Sequence, residues 1–167
     1  MPEDGRRYEV VEGDLLVSPS PKVSHQKVVG ALYALLRAAG RAGFGQALVS
    51  PTDVFFDEHN AVVPDVVFVC RGRAAIIMED AVRGAPDLVA EVLSPGTRAR
   101  DLGPKRRLYQ RMGVSVYWVA DPAARTVAVH ARGEGAAYAE HVLQAGDTLS
   151  CPLFPGMEAP VADLFAE

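Results

Sequence analysis

Three residues have the types and spacing to do chemistry together: Asp65, Glu91 and Lys105. Asp65 opens the apolar run Val66-Val67-Phe68-Val69, and Glu91 sits inside Leu88-Val89-Ala90-Glu91-Val92-Leu93. Lys105 follows in a basic stretch of helical character. Carboxylates are rarely buried unless they are paired or bind a metal. Side chains alternate faces along a strand, so Asp65 shares a face with Val67 and Val69, and Glu91 shares one with Val89 and Leu93. If the two strands are neighbours, both carboxylates converge on one cation. Hard oxygen donors suit Mg²⁺ or Mn²⁺, which retain open positions for a phosphate. Such an ion neutralises phosphoryl oxygen charge and acidifies its bound water. A nearby lysine orients that water or stabilises a pentavalent transition state.

The elements that must position these groups follow from periodicity. Tyr8 to Ser18 reads as a hairpin turning at Glu12-Gly13-Asp14. Val28, Val29, Leu32, Leu35, Leu36 and Ala39 recur at helical spacing and predict a helix over 23–39. Strands are expected at 46–49, 53–56 and 64–70, with a turn at Glu58-His59-Asn60. Residues 71–83 are either a loop with a short strand or a helical turn. Leu88 to Ser94 is a nearly continuous apolar run, the pattern of a strand covered on both faces. Asp101 to Met112 reads as a helix with Asp101 as its N-cap, Pro104 in its first turn and Gly113 at its end. Strands are expected at 114–120, 126–131, 137–143 and 148–150, followed by an irregular tail. This order predicts an α/β (α+β) fold, a mixed sheet with helices packed on it, an N-terminal hairpin and antiparallel C-terminal strands. Residues 1–167 are expected to form one domain.

The chain has 167 residues, 49% of them hydrophobic, which excludes wholesale disorder. No apolar run reaches the roughly 20 residues of a membrane helix, and the charged start lacks a signal-peptide core, so a cytoplasmic location is the expectation. Cys70 and Cys151 are expected as small buried hydrophobes rather than a disulfide. A net charge of −4 argues against a general DNA-coating protein. A local basic surface is nonetheless present: Arg98, Arg100, Arg106 and Arg107 are the candidate nucleic-acid contacts, the alternative being a solvated helix face.

The string Pro86-Asp87-Leu88-Val89-Ala90-Glu91-Val92-Leu93-Ser94-Pro95, then Asp101, Lys105, Tyr109, Gly113-Val114, Tyr117-Trp118 and Asp121-Pro122, resembles the Uma2 family, also called DUF820. Tyr8-Glu9-Val10-Val11-Glu12-Gly13, Ser18-Pro19, His25 and Pro64-Asp65 extend the resemblance over roughly residues 8–129. It implies the restriction endonuclease-like PD-(D/E)XK fold and divalent-metal-dependent cleavage of nucleic acid, DNA first. Asp65 and Glu91 are then the metal ligands. The superfamily's lysine, two residues past the acid, is replaced here by Leu93. The resemblance implies that it has migrated to the helix, as Lys105.

Four further residues are candidate supports. His25, early in the first helix, is a ligand, a proton shuttle, a phosphate contact or a surface histidine. Glu12 belongs to the site or is a solvated turn residue. Asp101 caps the helix and lies beside the site. Tyr109, one turn past Lys105, orders the lysine or packs. Tyr117 and Trp118 should face opposite sides of their strand as core, and the strands at 114–120 and 126–131 are candidates for a homodimer contact. Two functions remain in competition with a nuclease: a non-catalytic nucleic-acid-binding or regulatory protein on the same scaffold, and an interaction module whose carboxylates are held by arginines.

Overall fold

The computed structural model describes residues 7–18, 21–133 and 137–166. The chain begins with the hairpin β1 (Arg7–Val11) and β2 (Asp14–Ser18), followed by helix α1 (Val23–Arg41). Strands β3 (Gly45–Val49), β4 (Val54–Asp57), β5 (Asn60–Val62) and β6 (Val66–Cys70) come next. A 3-10 turn (Arg71–Ile76) leads to β7 (Val82–Arg83) and β8 (Leu88–Val92). The second helical segment runs from α2 (Arg98–Arg100) through a π-helical turn (Asp101–Lys105) into α3 (Arg106–Met112). Strands β9 (Val116–Asp121), β10 (Thr126–Arg132), β11 (Tyr138–Leu143), β12 (Thr148–Ser150) and β13 (Glu158–Pro160) precede α4 (Val161–Leu164).

Two sheets form the body. The larger has the order β11-β10-β9-β8-β6-β3, and the smaller β2-β1-β5-β4-β7. In the larger sheet only β8 and β9 run parallel, the remaining pairs being antiparallel. Alternation along β8 and β9 divides the core. Leu88, Ala90, Val92 and Trp118 face α1, whose Val28, Val29, Leu32 and Leu36 cover them together with Phe154 and α4. Val89, Tyr117 and Val119 face the smaller sheet and α3, against Val11, Val54, Val82 and Leu108. Tyr117 and Trp118 are thus both fully buried, on opposite faces.

Several expectations need correction. The strand expected at 64–70 starts at Val66, because Pro64 cannot donate to a ladder, and an additional short strand, β5, precedes it in the smaller sheet. The tail is not irregular: β12 pairs with β13, and Leu149, Phe154, Val161 and Leu164 fill the core beneath α1. Asp101 is not an N-cap, since the helical segment starts at Arg98 and Asp101 lies inside it. Pro104 is likewise inside the helical segment. Proline lacks an N–H and clashes with the carbonyl four residues back, and a widened π turn relieves both problems. The strands at 114–120 and 126–131 offer no free edge for a dimer, because β9 lies between β8 and β10, and β10 between β9 and β11. Both cysteines are free, Cys151 buried and Cys70 half-buried.

Gly45 fixes the pairing that positions β6. It lies opposite Cys70, and a Cβ there would come within 2.1 Å of the Val69 carbonyl oxygen. Gly45→Ala is therefore expected to lower unfolding stability in urea by about 3 kcal/mol, the upper end of overpacking costs. A loss below about 0.5 kcal/mol would show that β3 and β6 can separate without consequence.

Candidate active site

Asp65 and Glu91 meet because β6 and β8 are antiparallel neighbours. The register pairs Val66 with Ala90 and Val67 with Val89. One residue further, the same register sets Asp65 opposite Glu91 on the face turned toward the smaller sheet. Asp65 is held there by the Val92 N–H, which donates to its Oδ2 at 2.9 Å. Asp65 is 2% exposed and Glu91 3%.

Lys105 reaches this pair from the π turn. Its Nζ lies 2.5 Å from Glu91 Oε1, 2.9 Å from Glu9 Oε1 and 3.7 Å from Asp101 Oδ1. Lys105 is 3% exposed. Asp101 and Lys105 are four residues apart, which puts both on the inward face of the turn. Tyr117 O–H fixes the turn against β9 by donating to the Asp101 carbonyl at 3.1 Å. Tyr109 O–H donates to Glu91 Oε1 at 2.7 Å. His25, also buried, places Nε2 3.2 Å from Asp65 Oδ2. Its Nδ1 is enclosed without a hydrogen-bond partner among the described residues.

Glu9, His25, Asp65, Glu91, Asp101 and Lys105 line a cavity of about 190 Å³ together with Ser18, Lys22, Ser94, Thr97 and Arg100. Four buried carboxylates, from Glu9, Asp65, Glu91 and Asp101, share the cavity with one buried lysine, Lys105. Burial pushes Glu91 up to about 8 against the pull of Lys105, and Asp101, Asp65 and Glu9 add to the rise. Burial also raises Asp101, with Lys105 opposing. Burial opposes the charge of Lys105, but Glu9, Glu91 and Asp101 outweigh it and hold the ammonium well above the ordinary lysine range. Burial, then the Glu91 charge, keep the Tyr109 phenol protonated well past its usual range.

The donor set fits a hard divalent cation in kind and in charge, since the carboxylates outnumber the one buried ammonium. It is not a ready cage: among the described residues no three His, Cys, Asp or Glu groups already converge for a metal. Lys105 stands between Glu9 and Glu91 instead.

The remaining candidates separate. Arg100 lines the cavity and donates to the Val17 carbonyl at 3.0 Å and to Ser18 Oγ at 3.1 Å. Arg98 stands at the adjoining surface, paired with Asp121. Arg106 turns to Glu140, 3.7 Å away, and Arg107 is exposed. Glu12 lies outside the cluster: it occupies the hairpin turn at φ 54°, exposed, and pairs with Arg111 at 2.6 Å. The group that sequence reasoning missed is Glu9. Its signal was alternation, because Glu9 and Val11 share the buried face of β1. Glu9 Oε1 also accepts the Val63 N–H at 2.9 Å. The cation on Glu91 is a lysine, not an arginine.

A family model described as "Uma2: Putative restriction endonuclease" matches residues 1–162. The chain belongs to the Uma2 family. Among solved structures, "a putative nuclease belonging to DUF820" from Anabaena variabilis is similar at 19% identity, with a TM-score of 0.82, over 99% of this chain and 93% of that one. At that identity the likeness speaks for the fold of this Uma2 chain. No curated protein matches. No helix among the described residues is long and apolar enough to cross a membrane.

The raised Glu91 dictates a pH dependence. Its folded value, about 8, lies above the ordinary 4.5, so between those limits the folded state holds more protons than the unfolded one. Stability therefore falls as pH rises through that window, by on the order of 1 kcal/mol or about 3 °C in Tm per pH unit at most. In chelator-treated protein, the stability of Glu91→Gln relative to wild type should therefore rise between pH 5 and pH 8. A constant difference between the two proteins across that range would contradict this assignment.

Proposed function

We propose that this Uma2 protein is a divalent-metal-dependent nuclease that hydrolyses phosphodiester bonds, with Asp65 and Glu91 as ligands of Mg²⁺ or Mn²⁺ and Lys105 as the catalytic lysine. The observation that carries the reading is the buried Lys105 ammonium 2.5 Å from Glu91, in a cavity where carboxylates exceed cations. The family's description as a restriction endonuclease points to DNA as the first substrate to test.

A bound divalent ion supplies charge neutralisation at the phosphoryl oxygens and a more acidic water. The rest belongs to the chain. Glu91 Oε1 is engaged by Tyr109 and Lys105, so Glu91 would hold the ion through its other oxygen. Glu9, Glu91 and Asp101 favour Lys105 as an ammonium, which suits a donor better than a base. Its role is to donate to the attacking water or to the oxygens that gain charge in the transition state. Tyr109 holds the Glu91 carboxylate in place, and His25 does the same for Asp65. Arg100, at the cavity wall, offers a fork for a neighbouring phosphate, and Arg98 adds a second guanidinium at the adjoining surface.

One observation favours a second reading. Lys105 occupies the space between Glu9 and Glu91, the arrangement of a site sealed by its own cation. A non-catalytic nucleic-acid-binding protein on a nuclease scaffold would look this way.

Cleavage of plasmid and oligonucleotide DNA separates the two. With Mn²⁺, wild type is expected to cut, and Asp65→Asn and Glu91→Gln to lose both cutting and Mn²⁺ binding by calorimetry. Lys105→Met should keep Mn²⁺ and slow cleavage by about 10²- to 10³-fold, the effect of removing one preorganised donor. A wild-type protein that binds Mn²⁺ and DNA but leaves every substrate intact would establish the second reading.

A further inference from the structure

Beside the carboxylate cavity lies a second one of about 470 Å³, lined by Lys22, Leu93, Pro95, Arg98, Pro122 and Ala123. The two share Lys22, His25, Ser94 and Pro95, so they are adjoining chambers of one cleft. Their chemistry differs. The first is walled by carboxylates and Lys105. The second is walled largely by apolar and proline surface, with Lys22 and Arg98 as its cations. Pockets for small organic ligands run roughly 300–1,000 Å³. The first chamber, at about 190 Å³, falls below that range and has room for no more than a phosphate held through a cation, whereas the second lies within it.

Arg98 gives the second chamber a particular surface. Its Nη1 sits 2.5 Å from Asp121 Oδ2. Asp121 is itself fixed, because its Oδ1 accepts the Ala123 and Ala124 N–H groups at 3.0 and 3.2 Å. The guanidinium is therefore held in place while its side chain stays 54% exposed. A planar guanidinium with its charge partly balanced is a stacking platform for an aromatic ring.

We propose that the second chamber binds the nucleoside adjoining the phosphate held in the first, as one unpaired nucleotide stacked on Arg98. The substrate class is then single-stranded or frayed nucleic acid in preference to continuous duplex. A paired and stacked base cannot enter such a chamber without being extruded, which costs a few kcal/mol. This inference rests on the nuclease reading, and it adds the form of the substrate.

Calorimetric titration of the Mn²⁺-loaded protein tests it, with inorganic phosphate, dAMP and AMP as probes. The expected result is nucleoside monophosphate binding about tenfold or more tighter than phosphate, the worth of one stacked base. Preference between dAMP and AMP distinguishes a DNA from an RNA strand. Arg98→Ala and Arg98→Lys should both erase the advantage over phosphate while leaving Mn²⁺ affinity unchanged, because lysine restores charge but no planar face. Ala123→Leu, at an exposed turn position, should do the same by filling the chamber. Equal affinities for phosphate and nucleotide in wild type, or an advantage that survives all three variants, overturn the inference with the metal site intact. Failure of wild type to bind Mn²⁺ overturns the nuclease reading, and this inference with it.

Discussion

The buried ammonium of Lys105 is the constraint around which the site is organised. An unpaired charge in a protein interior costs several kcal/mol, and removing one partner of a buried pair typically costs about 3–5 kcal/mol. Lys105 answers that cost with Glu9 from β1, Glu91 from β8 and Asp101 from its own turn. One side chain thereby ties the smaller sheet, the larger sheet and the second helical segment together. The converse also holds. The carboxylates tolerate burial because the lysine is there, and they remain in excess over it. The cavity is thus both a structural clasp and a place where further positive charge is favoured.

The two-sheet architecture explains why this clasp stands at the edge of the core. Val89, Tyr117 and Val119 seal the interface between the larger sheet and the layer above it. Where that apolar seam ends, at the C-terminal end of β8 and just before the start of β6, Glu91 and Asp65 take the next positions on the same face. The N-terminal turn of α1 brings His25 over them from the other side. The π turn does a comparable job for the helical segment. By accommodating Pro104 it lets Asp101 and Lys105 both turn inward while Leu102 stays exposed.

Much of this was legible in the sequence, for identifiable reasons. Two acids within apolar strands, on definable faces, gave the Asp65–Glu91 pair, since period-2 alternation is local information. The approach of Lys105 to Glu91 was expected from the family resemblance, which puts the lysine on the segment after the strand, and the π turn there is where it sits. Glu9 was less legible because its importance comes from contacts to residues 54 and 96 positions away along the chain. Glu12, three residues on in the exposed hairpin turn, was named in its place. Asp101 was misread because helix-capping rules presume a regular start, whereas the segment begins earlier and passes through a π turn. The tail was misread because three prolines suggest irregular chain, although Phe154, Val161 and Leu164 are buried. The arginine cluster looked continuous in sequence, yet a helix distributes it: Arg98 and Arg100 toward the cleft, Arg106 and Arg111 to Glu140 and Glu12.

The most direct test of the central claim is an anomalous diffraction measurement at the manganese edge on crystals of the wild-type protein grown with Mn²⁺. A single strong peak about 2.1 Å from carboxylate oxygens of both Asp65 and Glu91, with the Lys105 Nζ moved off Glu91 but still in the cavity, is the predicted result. No peak at saturating Mn²⁺, or one that touches neither Asp65 nor Glu91, would contradict it and leave Lys105 as the permanent occupant of the site.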